Sequence, residues 1–397
     1  MENYASFRSP QTIIYGCQSF EKVGQEAALR GNRALIISDR IMEQLGYVNQ
    51  CIQNLQEHGV EYRIYLGVET EPTDLYVAEA QELFKQEQCD LVISLGGGSC
   101  IDTAKAVAVL ATNGGYIGEY MRGKKIAEND SIPHISIPTT AGTGSEATDA
   151  TVITNSSNDV KMMIKQPAFM PQVAIVDPHL TLSSPPHVTA ATGVDALSHA
   201  IEAYLSKRAH PMTDTMALSA MKLIVENIKT AYQDGENIQA REAMSLGSLQ
   251  AGMAFSNSSV CLVHGMSRPI GAVFHVPHGY SNAMLLPAVL EFSKEKCIDR
   301  LADLGRIFKA EAGSNEEAAD VAVESVKELC AALNIPNLKG WGIDEQGFNL
   351  AVTKMARDAI DSGSPANNPK VPTITELEEL YHTCYHYQFT SMNKSSN

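Results

Sequence analysis

Short apolar runs alternate with amphipathic segments over the first 180 residues of the chain. The run from Ala34 to Ser38 ends in Asp39, a pattern typical of a buried parallel strand. Helical spacing follows at 73–88, and again from the glycines after residue 95 to about residue 112. The other runs with strand character are 61–66, 90–95, 134–137 and 173–176. Strands and helices in alternation predict a parallel sheet with crossover helices.

Beyond residue 182 the pattern changes to helical periodicity alone. The segments with helical spacing are 190–206, 214–232, 240–255, 301–310, 315–333, 348–358 and 374–386. The linker-like segment Ser183-Ser184-Pro185-Pro186 separates the two patterns. We therefore predict an α/β domain over 1–182 and an all-α domain over 183–397. A length of 397 residues suits two domains that share a cleft.

The composition and charge of the chain indicate which kinds of partner it can bind. A hydrophobic fraction of 44% and a charged fraction of 19% are typical of a folded soluble protein. The net charge of −16 disfavours nucleic acid and anionic membrane surfaces. We expect a cytoplasmic protein, because neither a signal-like N-terminus nor a membrane-spanning apolar run is visible. The eight cysteines include no C-x-x-C pair, which indicates reduced thiols; Cys100 and Cys261 are either packing residues or oxidation-sensitive thiols.

Four residues form a candidate metal site. Asp195 and His199 are four residues apart, so on a helix both side chains lie on one face. His264 and His278 begin two short segments that contain glycine. One carboxylate and three imidazoles are the donors that a divalent transition metal takes in proteins. Any single histidine among the 11 has a surface or core role as its alternative, but the joint pattern predicts a metal-dependent enzyme.

A glycine loop joins the predicted third strand to the next helix, at Gly96-Gly97-Gly98-Ser99. Without β-carbons its backbone can approach a pyrophosphate, whose charge suits the N-terminus of a helix. The alternative is a tight turn without a ligand. Asp102 and Lys105 add polar side chains on the first turns of the helix, where an acidic group suits the helix dipole.

A second loop with small polar residues follows the fourth strand, from Pro138 to Glu146. It contains Thr139, Thr140 and Ser145, and this composition favours contact with a polar cofactor over a plain surface turn. Asp39, at the end of its strand, can hold the adenosine ribose 2′-hydroxyl and repel a 2′-phosphate. The sequence therefore predicts NAD rather than NADP.

Five separated motifs resemble, in order and spacing, the iron-containing (group III) alcohol dehydrogenases: GGGSCIDTAK, PTTAGTGSEAT, ATGVDALSHAIEAY, VHGMSRPIGA and FHVPHGYSNAMLLP. The resemblance covers essentially the whole chain. It implies a dinucleotide-binding α/β domain, a helical metal-binding domain, an active site between them, and dimers or higher homo-oligomers.

The resemblance also assigns residues. Those that match metal ligands are Asp195, His199, His264 and His278. Those that match nucleotide-lining positions are Gly97, Gly98, Ser99, Asp102, Thr139, Thr140, Lys161 and Thr181. The family implies Fe(II), whereas the ligand set alone also accepts Zn(II).

The chain departs from the family pattern in two places. Glu71-Pro72 stands where members often carry Asn-Pro, which puts a cofactor contact there in doubt. Arg268 stands where many members have a histidine, and an arginine cannot exchange a proton near neutral pH. His275 is either a substitute in proton relay or a structural histidine.

These observations predict an NAD(H)-dependent oxidoreductase that interconverts a short-chain primary alcohol, or a diol, and its aldehyde by hydride transfer. One alternative is a reductase of an anionic aldehyde, in which Arg268 pairs with a carboxylate, sulfonate or phosphonate. Arg268 could equally bridge helices or contact the cofactor phosphate. Further alternatives are a zinc polyol oxidoreductase like glycerol dehydrogenase, and a lyase like dehydroquinate synthase, which shares the two-domain architecture. A scaffold without catalysis is disfavoured, because all four ligands are present.

Overall fold

The computed structural model describes residues 4–389. Six parallel strands form the main sheet in the order β1-β8-β5-β4-β2-β3. The strands are β1 (Thr12–Tyr15), β2 (Arg33–Ile37), β3 (Glu61–Tyr65), β4 (Leu91–Gly96), β5 (His134–Pro138) and β8 (Val173–Val176). A separate antiparallel hairpin comprises β6 (Ala150–Asn155) and β7 (Val160–Lys165).

Helices cover both faces of this sheet. They are α1 (Val23–Ala28), α2 (Arg40–Gln44), α3 (Tyr47–Glu57), α4 (Asp74–Gln86) and α5 (Gly98–Asn113). Successive side chains of a strand point to opposite faces. Leu35 and Val92 accordingly pack in the core with α4 and α5, while Ile36 and Ile93 pack in the core with α1 and α3. Burial on both faces explains why these strands are continuous apolar runs in the sequence.

The C-terminal half of the described chain is helical. Its helices are α6 (Pro186–Leu205), α7 (Pro211–Gln233), α8 (Ile238–Asn257), α9 (Leu262–Phe274), α10 (His278–Ser293), α11 (Ile298–Phe308), α12 (Asn315–Ala332), α13 (Leu338–Trp341), α14 (Glu345–Asp361) and α15 (Ile374–Tyr385). α6 is central, since it packs against α7, α8 and α10 and all but a few of its residues are buried.

The predicted fold class is confirmed, with a parallel α/β part followed by an all-α part. The boundary at residue 182 stays a prediction; it lies between a short 3-10 helix at Pro178–Thr181 and the start of α6. Sequence reasoning missed two strand features, β1 and the β6–β7 hairpin. It also missed six helices: α1, α2, α3, α9, α10 and α13. Residues 281–290 of α10 are all buried and include Pro287, so the helix lacks the amphipathic stripe that marks a helix in a sequence.

Two further features of the structure concern the cysteines and the character of the helices. All eight cysteines are unpaired within residues 4–389, and every one except Cys17 is buried. Among the described residues, no helix combines the length and the apolar character that crossing a bilayer requires.

Candidate active site and metal centre

Three helices bring the four proposed metal ligands together. Asp195 and His199 project one turn apart from α6, while His264 lies in the first turn of α9 and His278 is the first residue of α10. One potential donor atom from each residue can be chosen so that all lie within 4.8 Å of one another. Asp195 Oδ1 lies 3.9 Å from His199 Nδ1, 3.7 Å from His264 Nε2 and 3.8 Å from His278 Nε2. The geometry therefore gathers the predicted ligands in one cluster.

The donor set fits a divalent transition metal. Tetrahedral bonds of about 2.0–2.2 Å place such donors about 3.4 Å apart, so the widest separations in this cluster would close by about 1 Å on metal binding. His199 Nδ1 is buried and has no hydrogen-bond partner among the described residues, as expected of an atom reserved for a ligand. Nitrogen and carboxylate oxygen donors suit iron and zinc alike.

The electrostatics of the cluster also suit a cation. Burial raises the pKa of Asp195, but the neighbouring His199 and His278 outweigh it and lower the pKa below its ordinary value. Burial lowers the pKa of His199 to about 4 and that of His278 to about 3, so both imidazoles are neutral near pH 7. Burial also opposes the charge on His264, yet Glu202 and Asp195 raise its pKa above the ordinary value.

Two further side chains contact the ligands and were missed by sequence reasoning. Glu202 accepts a hydrogen bond from His264 Nδ1 at 2.6 Å. The amide nitrogen of Asn282 donates to Asp195 Oδ1 at 2.6 Å and lies 3.0 Å from His264 Nε2. Their spacing could have revealed them: Glu202 follows Asp195 by two helical turns, and Asn282 follows His278 by one.

A cavity of about 360 Å³ lies between this cluster and the nucleotide-side loops. Its apolar wall includes Phe255, whose ring stacks on His199 at 4.3 Å between centroids. The sequence-predicted residues that line it are Gly98, Ser99, Asp102, Ser145, Lys161, His199, His264, Arg268 and His278. The three predicted histidine ligands and several nucleotide-side residues therefore share one cavity.

A second cavity of about 500 Å³ contains the remaining strand-end residues. Asp39, Gly97, Thr139 and Thr140 line it, together with the apolar side chains of Ile41, Met42, Leu45, Val68 and Val188. Ser99 lines both cavities, so together they can accept an extended dinucleotide. Asp39 also caps α2, because its Oδ1 accepts from Met42 N at 2.9 Å.

Parallel pairing explains how the two loops meet. β4 and β5 are neighbours, with Gly96 opposite Pro138, so the loops that follow them leave the same edge of the sheet. A side chain at Gly98 would press on Thr143, since an added Cβ would lie 2.8 Å from its methyl group. No side chain caps the start of α5 in the described chain, which leaves N–H groups available for a phosphate.

Asp102 and Lys105 organise the loop that faces α5. Asp102 accepts from Ser145 Oγ at 2.6 Å and from Val152 N at 2.8 Å. Lys105 is buried, and its ammonium donates to Ser145 Oγ and Thr148 Oγ1. Burial lowers the pKa of Lys105 to about 8. Both carboxylate oxygens of Asp102 thus have protein partners, although the residue lies on the cavity wall.

Glu71, one of the two departures from the family pattern, forms an ion pair with Lys161. Their charged groups lie 2.5 Å apart, and both residues line the smaller cavity. This ion pair links the segment before α4 to the hairpin strand β7. Lys161, which the resemblance assigned to the nucleotide, therefore already has a carboxylate neighbour in the protein.

Three of the residues predicted for catalysis or cofactor binding line neither cavity: Gly96, Thr181 and His275. Gly96 is the last residue of β4. His275 is exposed, has a φ of 53° at the end of α9, and lines neither cavity. Thr181 is buried, its hydroxyl donates to Pro178 O at 2.8 Å, and it too lines neither cavity. Within residues 4–389, the structure thus gives neither the proton-relay candidate nor this threonine a place at the site.

An α/β part with polar loops at its strand ends and a helical part with an Asp-His-His-His cluster form the arrangement expected of a metal-assisted oxidoreductase. Family models support this assignment. "Iron-containing alcohol dehydrogenase" matches residues 10–178, and "Fe-containing alcohol dehydrogenase family, C-terminal" matches 189–385. The chain belongs to the iron-containing alcohol dehydrogenase family, and the family prediction is confirmed.

Two named relatives are similar in sequence to this chain over nearly its full length. The chain is 37% identical to the NAD-dependent methanol dehydrogenase of Bacillus methanolicus, covering 94% of this chain and 98% of the relative. It is 35% identical to a 1,3-propanediol dehydrogenase of Citrobacter freundii, covering 95% and 97%.

Solved structures are also similar to this chain over nearly its full length. A crystal structure of 1,3-propanediol oxidoreductase matches with a TM-score of 0.92 at 34% identity, covering 96% of this chain and 100% of that one. The sulfoacetaldehyde reductase of Bifidobacterium kashiwanohense, solved with NAD+, matches with a TM-score of 0.85 at 27% identity, covering 98% and 100%.

Proposed function

We propose that this protein uses NAD(H) to interconvert a short-chain primary alcohol or diol and its aldehyde, with Fe(II) as the bound metal. The observation that carries the proposal is the shared cavity, in which Ser99 and Asp102 face the ligand cluster of His199, His264 and His278. A substrate oxygen and a nicotinamide ring can therefore be held side by side.

Each part of the chain has a role in this proposal. Asp195, His199, His264 and His278 hold the cation, which when bound supplies Lewis-acid polarisation of the substrate oxygen. The N–H groups at the start of α5 hold the pyrophosphate. Asp39 would hold the ribose at the adenosine end, and the apolar side chains around Ile41 would accept the adenine. Phe255 keeps water from one side of the cluster by stacking on His199.

Fe(II) is proposed on the ground of family membership, although the affinity order of divalent metals favours zinc over iron. The test is anaerobic reconstitution of metal-stripped protein with Fe(II) or with Zn(II), followed by NADH oxidation with neutral C2 to C4 aldehydes. We expect turnover with short primary aldehydes and higher rates with Fe(II). Equal turnover by stripped and reloaded protein would reject the metal-dependent mechanism.

Two wider expectations also remain proposals. Homodimers or higher homo-oligomers follow from the family resemblance, and light scattering of the purified protein tests them. A cytoplasmic location follows from the sequence, and fractionation of cells that express the chain tests it.

A further inference from the structure

A buried carboxylate outside the ligand set lies beside the metal cluster. Glu202 is on α6, two turns beyond Asp195, and only 3% of its surface is exposed. An ionised carboxylate pays a large desolvation cost in such a position unless donors compensate it. A buried glutamate next to a predicted ligand therefore requires a physical explanation.

Three donors converge on this carboxylate. Cys261 N donates to Oε2 at 2.9 Å, and Val263 N donates to Oε1 at 2.5 Å. His264 Nδ1 lies 2.6 Å from Oε2, slightly shorter than the roughly 2.7–2.9 Å of a charge-assisted N–H···O hydrogen bond. All three belong to the start of α9, so one side chain of α6 both caps that helix and holds its histidine.

The bond to Nδ1 determines which nitrogen of His264 is available. When Nδ1 carries the proton and donates it to Glu202, Nε2 presents a lone pair on the opposite side of the ring. Nε2 is the nitrogen that faces the cluster, 3.7 Å from Asp195 Oδ1. Carboxylates that hold metal-binding histidines in this way orient the ring and increase its basicity.

We propose that Glu202 is a positioning residue for the metal, which orients His264 through Nδ1 and adds a second buried negative charge to that of Asp195. The inference rests on the proposed function of the cluster as a metal site. With the imidazoles in the neutral form that binds a metal, the two carboxylates give the site a charge of −2, which complements a divalent cation. Loss of Glu202 should therefore weaken metal binding even though it is not a ligand.

A purely structural role predicts a different result. If Glu202 only caps α9, its replacement lowers stability but leaves the affinity for the metal unchanged. The two roles separate in Glu202→Gln, since an amide keeps the shape and one acceptor oxygen but removes the charge. The control is Glu291→Gln on α10, an exposed glutamate that also accepts a side-chain hydrogen bond, from Tyr387 at 2.6 Å, and does not contact the ligands.

The primary measurement is the dissociation constant for Zn²⁺, obtained by competition of the full-length metal-stripped protein with a fluorescent chelator. We expect about 10- to 100-fold weaker binding by Glu202→Gln, and wild-type binding by Glu291→Gln. The visible spectrum of Co²⁺-loaded protein gives a second readout, because a reoriented imidazole changes the ligand field. Equal dissociation constants and superimposable Co²⁺ spectra for wild type and Glu202→Gln would overturn the proposal.

Folding and the underlying function are checked separately. Far-UV circular dichroism and NAD+ binding establish that each variant is folded. If Glu202→Gln does not fold, Glu202→Asp replaces it, since the charge remains but the shorter side chain withdraws from Nδ1; weaker Zn²⁺ binding supports the proposal, and wild-type binding rejects it. A wild-type protein that binds no divalent cation would reject the proposed metal site itself, whereas a wild type that binds, with unaffected variants, rejects only the role of Glu202.

Discussion

The guanidinium of Arg268 donates from Nη1 to the hydroxyl of Ser364 at 2.8 Å, across the cavity wall between α9 and the short 3-10 helix at Ser364–Asn367. Among residues 4–389, no carboxylate lies within 4 Å of this arginine. Its other N–H groups therefore remain available to an anion in the cavity. Arg268 also follows His264 by one helical turn, on the same face of α9.

Arg268→Ala should affect acidic substrates more than neutral ones. A charge-assisted hydrogen bond contributes about 1.5–3 kcal/mol, so kcat/KM for a carboxylate- or sulfonate-bearing aldehyde should fall about tenfold further than for a neutral aldehyde of equal length. Steady-state kinetics on both substrates measure this, and Ser364→Ala serves as the comparison that keeps the charge. Equal losses on both substrates would reject the anion-binding alternative.

Asp195→Ala should lose the metal. The substitution removes the carboxylate that lies near all three imidazoles. Loss of a residue that only contacts a ligand lowers metal affinity roughly 10- to 100-fold, so loss of a ligand itself should lower the affinity further. Metal content by mass spectrometry and NADH oxidation both check the outcome. Asp303→Asn is the control, because Asp303 accepts a hydrogen bond from Tyr204 and belongs to α11. Full metal content in Asp195→Ala would contradict the ligand assignment.

Asp39→Ala should relax the preference for NAD+ over NADP+. The carboxylate lies in the larger cavity beside Arg40, so its removal takes away the partner of a ribose hydroxyl and leaves a cation for a phosphate. We expect kcat/KM with NAD+ to fall about tenfold or more and that with NADP+ to rise. Glu57→Ala, an exposed change at the end of α3, is the control. An unchanged ratio of the two cofactors would contradict this role.

Glu146→Gln should stabilise the protein at alkaline pH. Burial raises the pKa of Glu146 from 4.5 to about 7, against the opposing effects of a backbone hydrogen bond and Lys105. A raised carboxyl pKa means that the folded state binds more protons, so the stability from this group is complete below pH 4.5 and is lost as pH rises through 7. The shift corresponds to about 3 kcal/mol.

Urea unfolding of wild type and Glu146→Gln at pH 5 and pH 8 measures this effect. The variant should gain more free energy of unfolding, relative to wild type, at pH 8 than at pH 5. Glu57→Gln, exposed on α3, should show no such difference. A gain of the same size at both pH values would show that ionisation of Glu146 is not the cause.

His275→Gly should leave turnover near the wild-type value. His275 is exposed and lies outside both cavities, and its φ of 53° is the left-handed conformation that glycine adopts without strain. We expect a gain in stability of up to about 1 kcal/mol, measured by thermal unfolding, and little change in kcat. A tenfold loss of kcat in a stably folded variant would restore the proton-relay hypothesis.

Local patterns were enough to predict much of the fold. The parallel strands at 33–37 and 91–96 are continuous apolar runs because they are buried on both faces. β1 was missed because it is short, lies at the sheet edge and is only partly buried. α9 was not predicted, because Pro269 and two glycines in this segment disfavour a helix. Tertiary packing nevertheless stabilises the segment as a helix.

The candidate site likewise contains residues that local spacing predicts and contacts that it does not. Asp195 and His199 were predictable, because four-residue spacing places two side chains on one helix face wherever that helix packs. Glu202 and Asn282 share helix faces with predicted ligands, but their contacts with His264 and Asp195 were not predictable, because they depend on how α9 and α10 lie against α6. The exposure of His275 depends on the same packing.

The sequence by itself determined the fold class, the strands and helices with clear periodicity, the chemistry of the four donors and the family, since these follow from residue types and short-range spacing. Only the tertiary structure decided which carboxylate holds His264, that Lys161 pairs with Glu71, and that Arg268 rather than His275 faces the cavity. The physical reason is that such contacts join residues from separate elements. Their distances depend on helix packing, which no local periodicity records.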